Sequence, residues 1–394
     1  MPDLFNPQAA DAPVAGILSP GPQDLPDLLR GWSGTRPLLI SSGGTSSRCA
    51  AEQHWTLNLR PAFGAISVEP SGRSIRIGAG CRMGEVLEAL VPHQRTIPAG
   101  LSAWPGMGYV LTGGIGPLAR THGLAIDQLL QMRGVWGNGD PFVLDRSDDT
   151  RWRALCGAAV FLAVVSEVTL ATQPLQPLWI QQGSMAADAL PERMASAESS
   201  PEHSSLQWHW GADDELQWLV VHQQSEPLAQ RIEGLHQLPP LTGPSSGTER
   251  LHGEVVGLLG PAAASAWSSV MPSLKRLMRH RPHPGCSLSA QQLGGATSRI
   301  PSSASAFVHR DAVWKPWITA VWPAGDRAAR ERSLVWLEEL WDQLEPICPG
   351  VHLAQLHHHL PWHQRELRLA FAERLNGLRD LKAQLDPDDN LPTL

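Results

Sequence analysis

Seven glycines fall between Pro98 and Gly123, at positions 100, 106, 108, 113, 114, 116 and 123. A tight turn needs one or two, because only a residue or two adopts the positive φ that glycine tolerates. So dense a run has another use: without side chains the backbone lies flat against a large ligand, where any Cβ would hold it away from a pyrophosphate. The segment is not the G-x-G-x-x-G fingerprint between a strand and a helix with an acidic residue about 20 positions on. An earlier cluster, Ser41-Ser42-Gly43-Gly44-Thr45-Ser46, follows an apolar strand-like run that begins at Leu38. Its glycines let backbone amides turn inward as an anion-binding nest, with hydroxyls adding hydrogen bonds; taken alone, the same residues also fit a plain turn.

With 394 residues, 42% hydrophobic and 18% charged, the chain has the material for two or more packed domains. A formal net charge of -7 leaves no basic footprint for a nucleic-acid partner. Met1 to Gly31 has no charged start followed by an apolar run, and no stretch reaches the roughly 18 apolar residues that span a bilayer, so a cytoplasmic protein without a membrane partner is expected. Five cysteines with no C-x-x-C pair read as small buried side chains, not a disulfide framework. Tyr109 is the single tyrosine beside sixteen tryptophans, which limits phenol chemistry to one position and leaves the indoles to cores and clefts.

Short β-type runs alternate with helical patches from Pro37 to Thr172: Leu38 to Ser41, Ser74 to Ala79 and Val164 to Leu170 read as strands, Met83 to Leu90 as a helix. That order predicts an α+β domain instead of a doubly wound sheet. The proline-rich Gln173 to Pro177, and then Ala186 to Ser205, mixing helix with loop, mark a boundary. Beyond it, Leu206 to Trp210 and Leu216 to His222 flank Gly211-Ala212-Asp213-Asp214 as a hairpin opening an antiparallel sheet. Pro239 to Arg250 is a connection. Ala263 to Arg279 and Arg330 to Leu344 have helical spacing, with Leu334, Leu337, Leu340 and Trp341 on one face of the second.

Three separated stretches carry a family resemblance. Thr112-Gly113-Gly114-Ile115-Gly116-Pro117-Leu118-Ala119-Arg120-Thr121-His122-Gly123-Leu124-Ala125-Ile126-Asp127 is similar to G-G-G-x-G-x-L-x-R-x-x-G-L-x-x-D. Leu293-Gly294-Gly295-Ala296, with Ala306-Phe307-Val308-His309-Arg310 further on, is similar to G-G-A followed by T-A-F-x-H-R, and Lys382 to Asn390 to K-x-x-x-D-P-x-N. The chain thus resembles the vanillyl-alcohol-oxidase (p-cresol-methylhydroxylase, PCMH) flavoprotein superfamily, in its berberine-bridge-enzyme-like branch. The resemblance implies an α+β fold. Residues 1–175 would form a PCMH-type FAD-binding domain of two α+β subdomains, 176–345 a substrate domain with an antiparallel sheet covered by helices, and 346–394 a segment returning to the FAD domain. It implies FAD as cofactor, contacted by Ser41, Gly43, Gly44, Thr45 and Ser46 in the first loop and by Gly100, Ser102, Gly106 and Gly108 in the second. Thr112, Gly113, Gly114, Gly116, Leu118 and Gly123 would continue that contact, with Gly157, Val165 and Asn390 from later in the chain. A branched side chain at Gly114 is expected to occupy the backbone's approach to the phosphates.

The departures from the family pattern fall on its chemistry. Thr45 and Ser102 stand where relatives carry the histidine and cysteine bonded to flavin, which implies non-covalent FAD. Side chains replace most glycines of the ring-side loop in Cys156-Gly157-Ala158-Ala159-Val160, where they would crowd the ring. The tyrosine and asparagine of a G-x-Y-x-N segment become His352 and Ala354, and Gln291 takes the place of a glutamate base. His352 is the candidate proton acceptor, since imidazole titrates near neutrality, and it also fits an ordinary core histidine. His359 and His363 have i,i+4 spacing, but Pro361 between them disfavours a regular helix and no suitable carboxylate or cysteine pattern completes a site, so no metal is expected. His309 and Arg310 read as packing groups, and Asp386, Asp388 and Asp389 as a solvated turn around Pro387. Two functions fit: an FAD-dependent oxidoreductase taking hydride from a small-molecule alcohol, sugar or hydroxy acid with its electron acceptor open, or a family member without turnover that serves as a flavin-binding or flavin-free scaffold.

Overall fold

A nine-residue strand, Ala163–Ala171, runs through the middle of the first half of the chain, and its Val164, Val168 and Leu170 are fully buried. β-Branched side chains at alternate positions favour this extended, half-covered state. Around it a five-stranded antiparallel sheet has the order Ile66–Val68, Ser74–Gly78, Ala163–Ala171, Leu129–Trp136, Pro141–Asp145. A separate three-stranded parallel sheet places Trp55–Asn58 between Gly16–Leu18 and Leu39–Ser41. The computed structural model describes residues 14–46, 49, 51, 53–147, 149–212, 215–241 and 251–394. Met1 to Pro13 of the amino-terminal segment, Asp213 and Asp214 of the hairpin loop, and 242–250 of the following connection lie outside the described residues.

The crossing to the second half comes between Pro174 and Leu178, after Gln173–Pro174 has paired with Arg95–Thr96. There an eight-stranded sheet, antiparallel throughout, has at its centre Ser204–Trp210, Ser287–Gln292, Trp314–Pro323 and Leu251–Leu259, with the short Gly350–His352 at one edge. The predicted hairpin is Ser204–Trp210 paired with Glu215–His222. Period-2 alternation divides the sheet into two unlike faces. Leu206, Trp208, Trp210, Leu288, Ala290 and Ile318 form an apolar face. It packs on helices Leu190–Glu198, Ala264–Arg279 and Arg327–Leu344; Trp208 meets Trp267 edge to face, and Trp314 Nε1 donates to Glu198. The other face is polar and looks toward the first half. No helix is long and apolar enough to cross a membrane among the described residues. All five cysteines are buried and not disulfide-bonded.

The two halves are tied by buried polar contacts. Arg310 Nη1 lies 2.9 Å from Asp127 Oδ1, both almost fully buried, which is the pairing that such charges require. Arg120 donates to the carbonyls of Ser200, Pro201 and Ser204, and Ala306 N to Cys156 O at 2.9 Å. His309 Nε2 donates to Leu369 O at 2.6 Å.

The carboxyl-terminal helix Leu375–Leu385 packs on helix Thr150–Leu162. Asp386 departs from the solvated turn expected there: it is 1% exposed, pairs with the buried Lys382, and accepts from Asn390 N at 2.9 Å and Leu391 N at 3.0 Å. The proline turn closes onto its own aspartate because two backbone amides and an ammonium converge on it. Lys382 also donates to Phe161 O, and Asn390 Nδ2 donates to Leu29 O and Gly137 O at 3.0 Å each, so this segment is fastened to the first half. Replacing Asp386→Ala leaves the Lys382 ammonium only the exposed Asp389 carboxylate at 3.5 Å and should cost about 3 kcal/mol, read as a lower denaturation midpoint at unchanged slope in urea.

Candidate functional site

The two glycine loops meet backbone to backbone. A Cβ added at Gly43 would lie 2.4 Å from Gly106 N, and one added at Gly106 would lie 2.3 Å from Gly43 N. No other residue type allows this approach. Arg82 locks the junction by donating to Gly43 O at 3.0 Å while its guanidinium stacks on the exposed Trp104, 5.0 Å from the ring centroid. Ser42 donates to Ala79 O.

Between these loops lies a cavity of about 310 Å³. Gly43, Gly44, Thr45 and Ser46 form one wall, and Ser102, Gly106, Gly108 and Thr112 a second. Val165, with Ala159 and Val160, closes a third, apolar wall, and Ala354 and Gln355 reach it from the second half. The Ala159 and Val160 side chains that the sequence places in the ring-side loop do stand at the cavity. Tyr109 lines it too, but its phenol donates to Ile115 O at 2.6 Å and burial raises its pKa, so it is a wall group and no proton carrier.

The remaining predicted contacts sit behind the walls. Ser41 is buried in the strand below its loop. A Cβ at Gly116 would strike Ala99 O, and at Gly100 would meet the Tyr109 ring at 3.0 Å. Gly123, at φ +80°, ends the short helix Ala119–His122 against Asp127, and Leu118 is core. Gly157, at φ +127°, kinks its helix where a Cβ would lie 2.7 Å from Phe307 N, and Asn390 is the clamp described above. Gly114 needs a different account from the one expected of it: at φ +69° its Cβ would lie 2.4 Å from Ala125 Cβ, so a branch there collides with the protein before it can reach a ligand.

His352 stands where the two halves touch. It is 2% exposed, edge-on to Tyr109 at 5.8 Å and to Phe307 at 6.2 Å, with Nε2 3.3 Å from where a Gly113 Cβ would be. It belongs to the polar face of the large sheet. Cross-strand partners share a face, so Gln207, Gln291 and Lys315 form one row, and His209, Ser289, Trp317, Gly257 and His352 the next. Lys315 escaped the sequence reading. Its signal was alternation: Ser205, Gln207 and His209 interleave with Leu206, Trp208 and Trp210, marking a strand with one polar buried face.

The segment beyond His352 is held by a buried network. His357 bridges two carboxylates, Nδ1 to Glu366 Oε1 at 2.6 Å and Nε2 to Glu254 Oε2 at 3.3 Å, while His359 Nε2 meets Glu254 Oε1 at 2.8 Å. The histidine run therefore does have carboxylate partners: Glu366, close by in the chain, and Glu254, too distant in the chain to be read as a pattern. No group of three or more His, Cys, Asp or Glu is arranged to hold a metal among the described residues. Burial opposes charge on His357, but Glu366 and then Glu254 outweigh it and raise the imidazole to about 10. Burial likewise raises both carboxylates, and their histidine partners overcome it and hold them below the usual range.

A protein whose two halves meet at a cavity walled by glycine loops is the class this geometry defines. Residues 24–145 match the family model described as an FAD binding domain. The uncharacterized FAD-linked oxidoreductase YgaK of Bacillus subtilis is 22% identical over 369 residues, covering 82% of this chain and 77% of that protein. Fungal FAD-linked oxidoreductases match over shorter stretches, about a quarter of their length. Among solved structures, glucooligosaccharide oxidase from Acremonium strictum superposes with a TM-score of 0.82 at 18% identity, over 99% of this chain and 92% of that one. Berberine bridge enzyme from Eschscholzia californica gives 0.79 at 16%, with the same coverage. Residues 24–145 thus match an FAD binding domain, and the chain as a whole has the fold of glucooligosaccharide oxidase and berberine bridge enzyme.

Two outcomes follow from this site. Gly106→Ala must push the loops apart by an ångström or so; flavin absorbance per protein should fall severalfold, with the second half's circular dichroism intact. His357 has a folded pKa above its unfolded value, so its stabilisation is full below about 6.5 and is lost as pH rises toward about 10. The melting temperature of the parent should fall across that window, and that of His357→Gln should start lower and stay flat there.

Proposed function

We propose that this protein oxidises a small organic donor of the alcohol, sugar or hydroxy-acid class by hydride transfer to non-covalently bound FAD. The observation that carries this reading is the glycine-walled cavity, with His352 edge-on to Tyr109 of its wall and the polar sheet face beyond. Its composition fits the cofactor. Backbone amides and hydroxyls at Gly43, Gly44, Thr45 and Ser46 suit phosphate and ribose oxygens, and the wall of Ala159, Val160 and Val165 suits a flat ring system. The glucooligosaccharide oxidase of Acremonium strictum carries a 6-S-cysteinyl, 8α-N1-histidyl FAD. Thr45 and Ser102 offer neither nucleophile here, and the thiol in the cavity wall, Cys49, donates to Ser46 O at 2.8 Å.

FAD, when bound, supplies the two-electron acceptor. The chain supplies position and proton transfer: His352 Nε2 points at Gly113 and would take the donor's hydroxyl proton as the carbon–hydrogen bond breaks. Water is kept out by Tyr109 and Phe307, which enclose the imidazole.

The purified protein should show a flavin spectrum, and acid precipitation should release that colour into the supernatant. Colour held in the pellet would mean a covalent link, and a colourless protein that takes up no added FAD would overturn the reading.

A further inference from the structure

Lys315 is 8% exposed, and among the described residues no carboxylate pairs with it. Its ammonium lies 4.3 Å from the centre of the Trp317 ring, and its aliphatic end reaches over Gly257, where Cε would be 3.7 Å from an added Cβ. The same added atom would be 3.4 Å from His352 Cβ. Glycine at 257 therefore lets Lys315 and His352 stand side by side, an added Cβ also meeting His352 O at 3.3 Å, one side chain away from Tyr109 and the cofactor cavity.

The surroundings are polar without being acidic. Gln291 is the cross-strand partner of Lys315, and Gln207 is that of Gln291. Gln207 donates to Ser205 O at 2.7 Å, while its Oε1 is buried with no hydrogen-bond donor among the described residues. The titratable groups on this face near Lys315 are His352 and His209, and burial holds His209 at about 4, hence neutral. A buried amine without a counter-ion is costly to charge. Burial brings Lys315 down to about 7, so near neutrality the site is poised between amine and ammonium.

Resting on the oxidoreductase reading above, we propose that Lys315, beside His352, is the ion-pair partner of a carboxylate on the donor, so that the substrates are hydroxy acids in preference to neutral alcohols or sugars. The acid brings the negative charge that the site lacks. Its carbinol group, one or two bonds away, then falls beside His352, and a hydroxyl can donate to Gln207 Oε1 or to the imidazole. Trp317, half-buried in the middle of the row next to Lys315, covers the apolar part of the ligand.

The test is calorimetric titration of the flavin-loaded protein with matched pairs: lactate against 1,2-propanediol, and mandelate against 1-phenyl-1,2-ethanediol. The acids should bind at least about tenfold more tightly than the diols. Above pH 7 their binding should take up roughly one proton, seen as a dependence on buffer ionisation enthalpy, because the bound carboxylate recharges Lys315. Lys315→Met should erase both the preference and the proton uptake, and the parent's proton uptake needs no variant to fold. Equal binding of acid and diol, no acid binding, or acid binding without proton uptake would each overturn the assignment. Flavin content is read separately from the absorption spectrum, so loss of the cofactor reading and loss of the carboxylate site give different signatures.

Discussion

The contact between Gly43 and Gly106 is the constraint on which the rest of the site depends. Two loops well separated in the chain, at Gly43 and Gly106, approach until each backbone nitrogen occupies the other's side-chain space, and this sets the width of the cavity between them. Neighbouring features follow from that closeness. Arg82 spans the junction to reach Gly43 O, Trp104 is held at the rim under its guanidinium, and the hydroxyls of Ser42 and Thr112 turn back onto carbonyls of their own walls. Backbone-to-backbone packing gives up side-chain entropy and hydrophobic burial, and it is kept where a ligand must meet main-chain amides.

Much of this frame was legible in the sequence. Dense glycine spacing marked the loops, β-branched alternation marked Ala163–Ala171, and the spacing of Leu334, Leu337, Leu340 and Trp341 marked the buried face of Arg327–Leu344. The finer division of labour was not legible, because a glycine required by a ligand and a glycine required by a neighbour look alike in a string. Gly114, Gly116 and Gly157 answer to Ala125, Ala99 and Phe307, and Gly44 and Gly108 stand at the cavity. Asp386 misled for a related reason: Asp-Pro is a common exposed turn, and only the convergence of Lys382 with two amides makes this one a buried clamp. His357 and Glu254 are 103 positions apart, beyond the reach of any spacing argument.

Two polar links bracket the cavity from the second half. Arg310 with Asp127 fixes the Phe307 loop against the first half, and the His357 network fixes the segment that delivers Ala354 and Gln355 to the cavity wall. Both are buried and charged, and each group removed alone would leave its partner stranded, so they resist sliding more than they add stability. Apolar packing would tolerate small shifts of one half over the other; paired charges at fixed geometry do not.

That rigidity separates the two tasks of the site. The cofactor side is built from main chain, and its chemistry is set by where glycines permit close approach. The donor side is built from side chains on one face of a sheet whose opposite face is welded to helices by Trp208, Trp267 and Trp314. Because the backbone of those strands is held from behind, the polar rows can change identity without moving the frame. A face carrying Lys315, His209 and His352 with glutamines between them has a positive or neutral character that a carboxylate at any one of those positions would reverse. On the proposed reading, substrate charge is set by a few residues on a fixed grid, and the flavin is held by the loops beneath it.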